Sequence, residues 1–179
     1  MKHILFLLLL FLSACTSDAQ TSDYLFKGIP IEGTVSEFSK KLQQQGFQQM
    51  TQYQGVDLEQ MGFDRITYDM LSGMFMNQRV IVGVSGDRDT HKLQAVQVEF
   101  PESGGNNALY EKIKRLLAEK YKDPEKWTVR NSDDAFNHSY EIFDAKIAHE
   151  PYIELGLNPA NLVILYRNPT QFYDEGADL

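Results

Sequence analysis

Apolar residues recur along this chain with a period that switches between that of a helix and that of a strand, and the switches divide it into elements. Val35, Phe38 and Leu42 fall on one side of a helix, while Lys40, Lys41 and Gln44 fall on others. Thr34-Val35-Ser36-Glu37 supplies a capping box before them and Gly46 a left-handed stop after them, so the spacing predicts a helix over 35–45. Phe47 to Tyr53 sets apolar residues between glutamines, and Arg65 to Val84 reads in period two. Met70, Met74 and Met76 are expected on one side of that strand, with Leu71, Gly73 and Phe75 on the other. Asn77-Gln78 is expected to turn the chain into a strand from Arg79 to Val84. Ser85 to Thr90 is turn chemistry, after which Val96, Val98 and Phe100 share a face and close an antiparallel meander.

Pro101, Gly104 and Gly105 break the alternation, and Asn106 or Asn107 caps a second helix. Its apolar stripe is Leu109, Ile113, Leu116 and Leu117, and it ends near Tyr121, before Pro124. Strand patterns return from Tyr140 to Ile147, Tyr152 to Leu157 and Leu162 to Arg167, separated by His149-Glu150-Pro151 and Asn158-Pro159-Ala160. The order helix, strands, helix, strands predicts an α+β domain: an antiparallel sheet with two helices packed on one face. That order also admits two similar halves.

The N-terminus follows a different logic. Lys2 and His3 precede an unbroken apolar run from Ile4 to Leu12, then the small residues Ser13 and Ala14 lead to Cys15. This is the layout of a secretory signal. As a helix the run would rise only about 14 Å, against a hydrocarbon core of roughly 30 Å, so it is too short to span a bilayer. The expected division is a signal peptide at 1–14, a flexible polar tether at 15–23, one α+β domain at 24–168 and an acidic tail at 169–179.

Cys15 is the only cysteine, so the expected domain has no internal disulfide and must be held by packing. About 160 residues suffice for one core. The formal net charge of the full chain is -8, and removal of 1–14 takes away Lys2 and no acid, which leaves -9. Nucleic acid is an unfavourable partner for such a chain. The acids are scattered, as at Asp57, Glu59 and Asp64 or at Asp133 and Asp134, which suits a solvated surface better than a cation-binding tract.

Leu12-Ser13-Ala14-Cys15 resembles the lipobox of bacterial lipoproteins. The resemblance implies acylation of the Cys15 thiol, cleavage just before it, and attachment to a membrane through the lipid. Thr16 in the next position implies the outer membrane, by likeness to enterobacterial sorting, with the domain facing the periplasm or the surface. The competing reading is cleavage after Ala19, since Ser17-Asp18-Ala19 also offers small residues to a signal peptidase, and it would yield a soluble periplasmic or secreted protein. Lys27 to Thr34, Glu37-Phe38, Gly46-Phe47 and Leu71-Ser72-Gly73-Met74-Phe75 resemble motifs of small exported bacterial proteins of unknown function. The order of elements is similar to that of β-lactamase-inhibitor-protein-like and PepSY-like domains. No catalytic residue comes with either resemblance.

Catalytic and metal signatures are sparse. His91, His138 and His149 form no His-Glu-x-x-His pair, and no nucleophile elbow, phosphate-binding loop or dinucleotide fingerprint is present. Asp87-Arg88-Asp89-Thr90-His91 begins like a calcium loop, but Lys92 stands where glycine is needed and no glutamate closes it, so a polar hairpin tip accounts for it. Met70, Met74 and Met76 offer soft sulfur to Cu(I), although filling a core is the plainer use of methionine. Trp127, Phe136, Tyr140, Tyr152 and Tyr166, with His138, His149, Glu141 and Asp144, could line a ligand groove, or serve as ordinary core and edge residues. No cofactor and no metal is expected. The sequence favours a non-enzymatic, envelope-anchored binding module that uses an exposed sheet face against a protein or ligand. The alternative is a periplasmic hydrolase with a site assembled from scattered acids and histidines.

Overall fold

The computed structural model describes residues 24–51, 66–101, 103–133, 137–144 and 152–168. The expected signal, the expected tether with Cys15 and the acidic tail lie outside these residues, as do His149 and Phe136. Among the described residues no helix is long and apolar enough to cross a membrane.

The architecture is α+β, with strand outweighing helix. A small hairpin, β1 (Leu25–Phe26) and β2 (Ile29–Pro30), opens the domain around Lys27 and Gly28, both at positive φ. Helix α1 (Val35–Gln44) and strands β3 (Gln48–Gln49), β4 (Ile66–Phe75), β5 (Gln78–Asp87) and β6 (Leu93–Phe100) follow. Helix α2 (Asn107–Lys120) then leads into β7 (Trp127–Asp133), β8 (His138–Asp144), β9 (Tyr152–Leu157) and β10 (Leu162–Arg167). One eight-stranded sheet runs β3-β4-β5-β6-β10-β9-β8-β7, antiparallel at every step. Each helix thus precedes four strands, and the two sets meet at their last strands, β6 and β10.

Local chemistry explains the helix ends. Thr34 accepts from the Glu37 amide at 3.3 Å while the Glu37 carboxylate accepts from the Thr34 amide at 2.9 Å, the reciprocal capping box. Donation from the Thr34 amide, and then from the Thr34 hydroxyl at 3.0 Å, holds the Glu37 carboxyl below its ordinary range. At the other end Gly46, at φ 90°, donates to Gln43 and Phe47 donates to Leu42, which is a Schellman closure. Asn106 caps α2, its side chain accepting from the Leu109 amide at 3.0 Å.

Strand alternation sorts the sheet into two faces. Leu71, Val82, Val98, Ile164, Leu155 and Tyr140 are paired across successive strands in one row, and all are buried. Both helices lie on this face. A Cβ on Gly86 would come within 2.6 Å of Val35 at the start of α1, and one on Gly73 would meet the ring of Phe47 just beyond its end. The Lys114 amine of α2 lies over the ring of Tyr140, and Tyr110 stacks against His138. Phe26 of the hairpin touches Phe47, Phe75 and Tyr166, completing the layer over the same face. Each fully buried Leu, Ile, Val or Phe here contributes roughly 1.5–3 kcal/mol of transfer free energy.

Four elements differ from the sequence expectation. The first helix is preceded by the hairpin, so the order is not simply helix, strands, helix, strands. Strand β7 was not expected, because after the buried Trp127 the inward-facing Val129 and Asn131 are exposed at the sheet edge. The β4–β5 turn falls on Met76 and Asn77, at φ 53° and 61°, one residue earlier than predicted, and β5 continues through a bulge at Ser85/Gly86 into the predicted turn. The expected strand from Tyr140 to Ile147 is seen as His138–Asp144, and its continuation lies outside the described residues.

Candidate functional site

The alternate residues of the same strands form the opposite face of the sheet, and among the described residues no helix or strand packs over it. Its middle row runs Met70, Gly83, Gln97, Leu165, Glu154, Glu141, Arg130 from β4 to β7. A neighbouring row runs Ser72, Ile81, Glu99, Val163, Gly156, Ser139, Ser132. The β4–β5 side is the more apolar, with Met74 58% and Tyr68 39% exposed and Met70 and Ile81 partly exposed, although exposed Arg79 pairs with Met74. Tyr68 lies across Gly83, where a Cβ would collide with the phenol, so the missing side chain gives the ring its seat.

The β7–β9 side is polar. Glu141 and Glu154 stand opposite each other on β8 and β9, and the Tyr152 hydroxyl is 3.1 Å from one carboxylate and 3.0 Å from the other. A phenol has one proton, so it donates to one glutamate at a time. Arg130 closes the group with an ion pair to Glu141. Burial foremost, then the charges and hydrogen bonds of Glu154 and Glu141, push the Tyr152 phenol well above its ordinary range, so it stays protonated at neutral pH. Glu99 accepts from the Asn161 side-chain amide at 2.7 Å.

Of the described residues singled out in sequence, Tyr152 and Glu141 are brought together, but no histidine joins them. His138 lies on the helix-covered side against Tyr110, while Glu141 and Glu154 point to the open side, so the sheet separates the histidine from the acids. His91 is exposed in the β5–β6 turn at φ 57°. Trp127, Tyr140 and Tyr166 are buried in the core, and among the described members of the aromatic group Tyr152 alone reaches the open face. Asp87 accepts from the Asp89 amide at 3.1 Å and the Thr90 amide at 2.6 Å, which closes the turn that resembled the start of a calcium loop. Met70 and Met74 share the open face, but Met76 turns into the core. Four residues of strand separate Met70 from Met74 by roughly 14 Å, too far for one copper ion. Among the described residues no three His, Cys, Asp or Glu side chains converge to hold a metal.

No family model, curated protein or solved structure matches this chain. Its chemistry must therefore be judged from the face itself, which has the mixture of apolar and hydrogen-bonding groups of a contact surface. Glu141 and Tyr152 are two of the groove candidates of the sequence, whereas Glu154 and the bridge between the two acids were not anticipated. The available signal was the spacing of Tyr152 and Glu154, two apart in a predicted strand and hence on one side of it.

Proposed function

We propose that this chain is an exported binding module, anchored to the cell envelope through a lipid on Cys15, that engages a protein or ligand with the open face of its sheet. The observation that carries this reading is the one-sided second layer: both helices and the hairpin pack on one face, leaving Tyr68, Met70, Met74 and Ile81 partly or largely exposed on the other. Antiparallel sheets commonly solvate one face, but they do so with polar residues. Here apolar and charged residues alternate across strands, as in interfaces that bury an apolar centre within a polar rim. The separation of His138 from Glu141 and Glu154 supports binding over hydrolysis by an acid–histidine site. The mirrored strand order is our ground for reading the domain as two similar halves.

A photo-activatable side chain at position 81 or 165, in the intact protein within its native envelope, is expected to give a discrete cross-linked species. The same group at the exposed Lys112 of α2 is expected to give none. Equal cross-linking at all three positions, or none at 81 and 165 together with measurable turnover of a substrate, overturns the proposal.

A further inference from the structure

The place where the chain enters the fold fixes which end of the domain faces the membrane, an inference that rests on the lipid anchor proposed above. Tyr24 is buried on the helix-covered side, and its hydroxyl lies 2.7 Å from both the Tyr152 carbonyl, where β9 begins, and the Arg167 carbonyl, where β10 ends. The next residue, Leu25, accepts from the amine of Lys120 at the C-terminus of α2 at 3.2 Å. Val35 at the start of α1 donates to His91 of the β5–β6 turn, at the same strand ends. This end therefore carries the Tyr24 entry, the 88–92 turn, the C-terminus of α2 and the start of β7.

The opposite end carries the Met76-Asn77 turn, the N-terminus of α2 and the loop from Asn158 to Asn161, tied together by the bond from the Gly105 amide to the Asn158 carbonyl. Strands β4 and β5 have 10 residues each, so the two ends are roughly 34 Å apart. The nine residues from Cys15 to Asp23 reach about 32 Å at full extension. A flexible chain of that length spans only about 17 Å. To put the far end on the bilayer the link would have to run fully stretched along the whole domain.

We infer that the anchored protein stands on its strand ends, with the Tyr24 end toward the bilayer, the 158–161 loop away from it and the open sheet face upright between them. The partner of the Tyr24 end is the membrane surface. Among the described residues charge of neither sign dominates that end, where Arg88, Lys92, Lys120, Lys122, Lys126 and Arg167 are accompanied by Asp87, Asp89, Glu119, Asp123 and Glu125, so the direction rests on the length of the link. The open face is then free for a partner lying beside the protein in the same layer of the envelope.

Because acylation blocks Cys15, an introduced cysteine is the one reactive thiol of the anchored chain. Acylated Asp89→Cys, Glu125→Cys and Ala160→Cys variants, each changed at an exposed site, would be placed in phosphatidylethanolamine–phosphatidylglycerol vesicles and labelled with a donor dye. Energy transfer to a headgroup acceptor is expected to be several-fold greater from positions 89 and 125 than from 160. Equal or reversed transfer from vesicle-bound protein overturns the orientation while leaving the anchor intact. A purified envelope protein that lacks acyl mass at Cys15 and does not float with vesicles removes the anchor and the orientation together.

Discussion

The two faces of the sheet are made from the same strands, yet they obey different rules. On the covered face Val80, Val82 and Val84 of β5 are fully buried, as are Ile153 and Leu155 of β9, each touching the helix layer or its neighbours. On the open face Ile81 and Gly83 interleave with those valines, and Tyr152 and Glu154 with Ile153 and Leu155, but among the described residues no helix packs over them. One side is fixed by close packing on both flanks; the other is fixed by hydrogen bonds and by rings lying on glycine. The contrast teaches that half of each strand serves stability while the other half is available for something else.

The largest effect expected is at the core. Leu155→Ala on the covered face should lower unfolding free energy by about 3 kcal/mol, as buried Leu truncations do. Leu165→Ala, in the middle row of the open face, should cost about 1 kcal/mol, because its side chain is partly exposed and leaves no closed cavity. Urea unfolding followed by far-ultraviolet circular dichroism measures both. Equal losses would mean that the open face is packed as tightly as the other, and the comparison would fail.

Glycines sharpen it next. A Cβ at Gly86 meets the Lys92 backbone carbonyl as well as Val35, and backbone cannot swing aside. Gly86→Ala should therefore destabilise by about 1–3 kcal/mol. At Gly83 the obstacle is the far end of Tyr68, an exposed side chain able to rotate outward, so Gly83→Ala should stay within about 0.5 kcal/mol of the parent. A cost at Gly83 as large as that at Gly86 would show Tyr68 to be locked in place.

Much of this contrast was legible in sequence on the covered side and little of it on the open side. The capping box at Thr34, the stop at Gly46 and the alternation of Val96, Val98 and Phe100 have strong local signals, and they appear where expected. The antiparallel sheet with two helices follows from them. Strand β7 was invisible because an edge strand has little need of buried alternate residues, and the polar run Thr128 to Ser132 looks like a loop. The β1–β2 hairpin was missed because two-residue strands leave no period to read. The Glu141–Tyr152–Glu154 group depends on the register of β8 against β9, a property of no single segment. Met76 was misassigned to a face because the turn came one residue early, and a one-residue shift reverses sides.

Ionisation separates the faces more finely. Tyr166 and Tyr140 on the covered side are raised above the ordinary phenol value by burial alone. Tyr152 on the open side is raised by burial first and then by Glu154 and Glu141. A phenol whose folded-state pKa is raised contributes stability that is intact below the ordinary value of 10.0 and is lost as pH climbs above it toward the folded value. Tyr152 and Tyr166 should stay protonated through pH 10, read from the individual ring resonances of these two tyrosines in the folded protein. The double change Glu141→Gln and Glu154→Gln should bring the ionisation of Tyr152 downward and leave Tyr166 where it was. If both move together, the carboxylates act on the fold as a whole and not on the phenol between them.

The smallest effect on stability is expected at Met74, the most exposed of the large apolar residues on the open face. Met74→Lys removes little buried area, and β4 can carry a lysine there without disturbing Leu71 or Phe75 on the other side, so unfolding free energy should change by no more than about 0.5 kcal/mol. Cross-linking from position 81 should nonetheless fall sharply, because a partner seated on the apolar β4–β5 side would have to bury an ammonium without a counter-charge. The two readouts together carry the argument. A residue of the covered face cannot lose its contacts without weakening the fold, so binding lost at constant stability is a property available only to a surface that the fold does not use. Loss of stability in step with cross-linking, or no change in either, would place Met74 outside the contact and narrow the open face to the polar side around Tyr152.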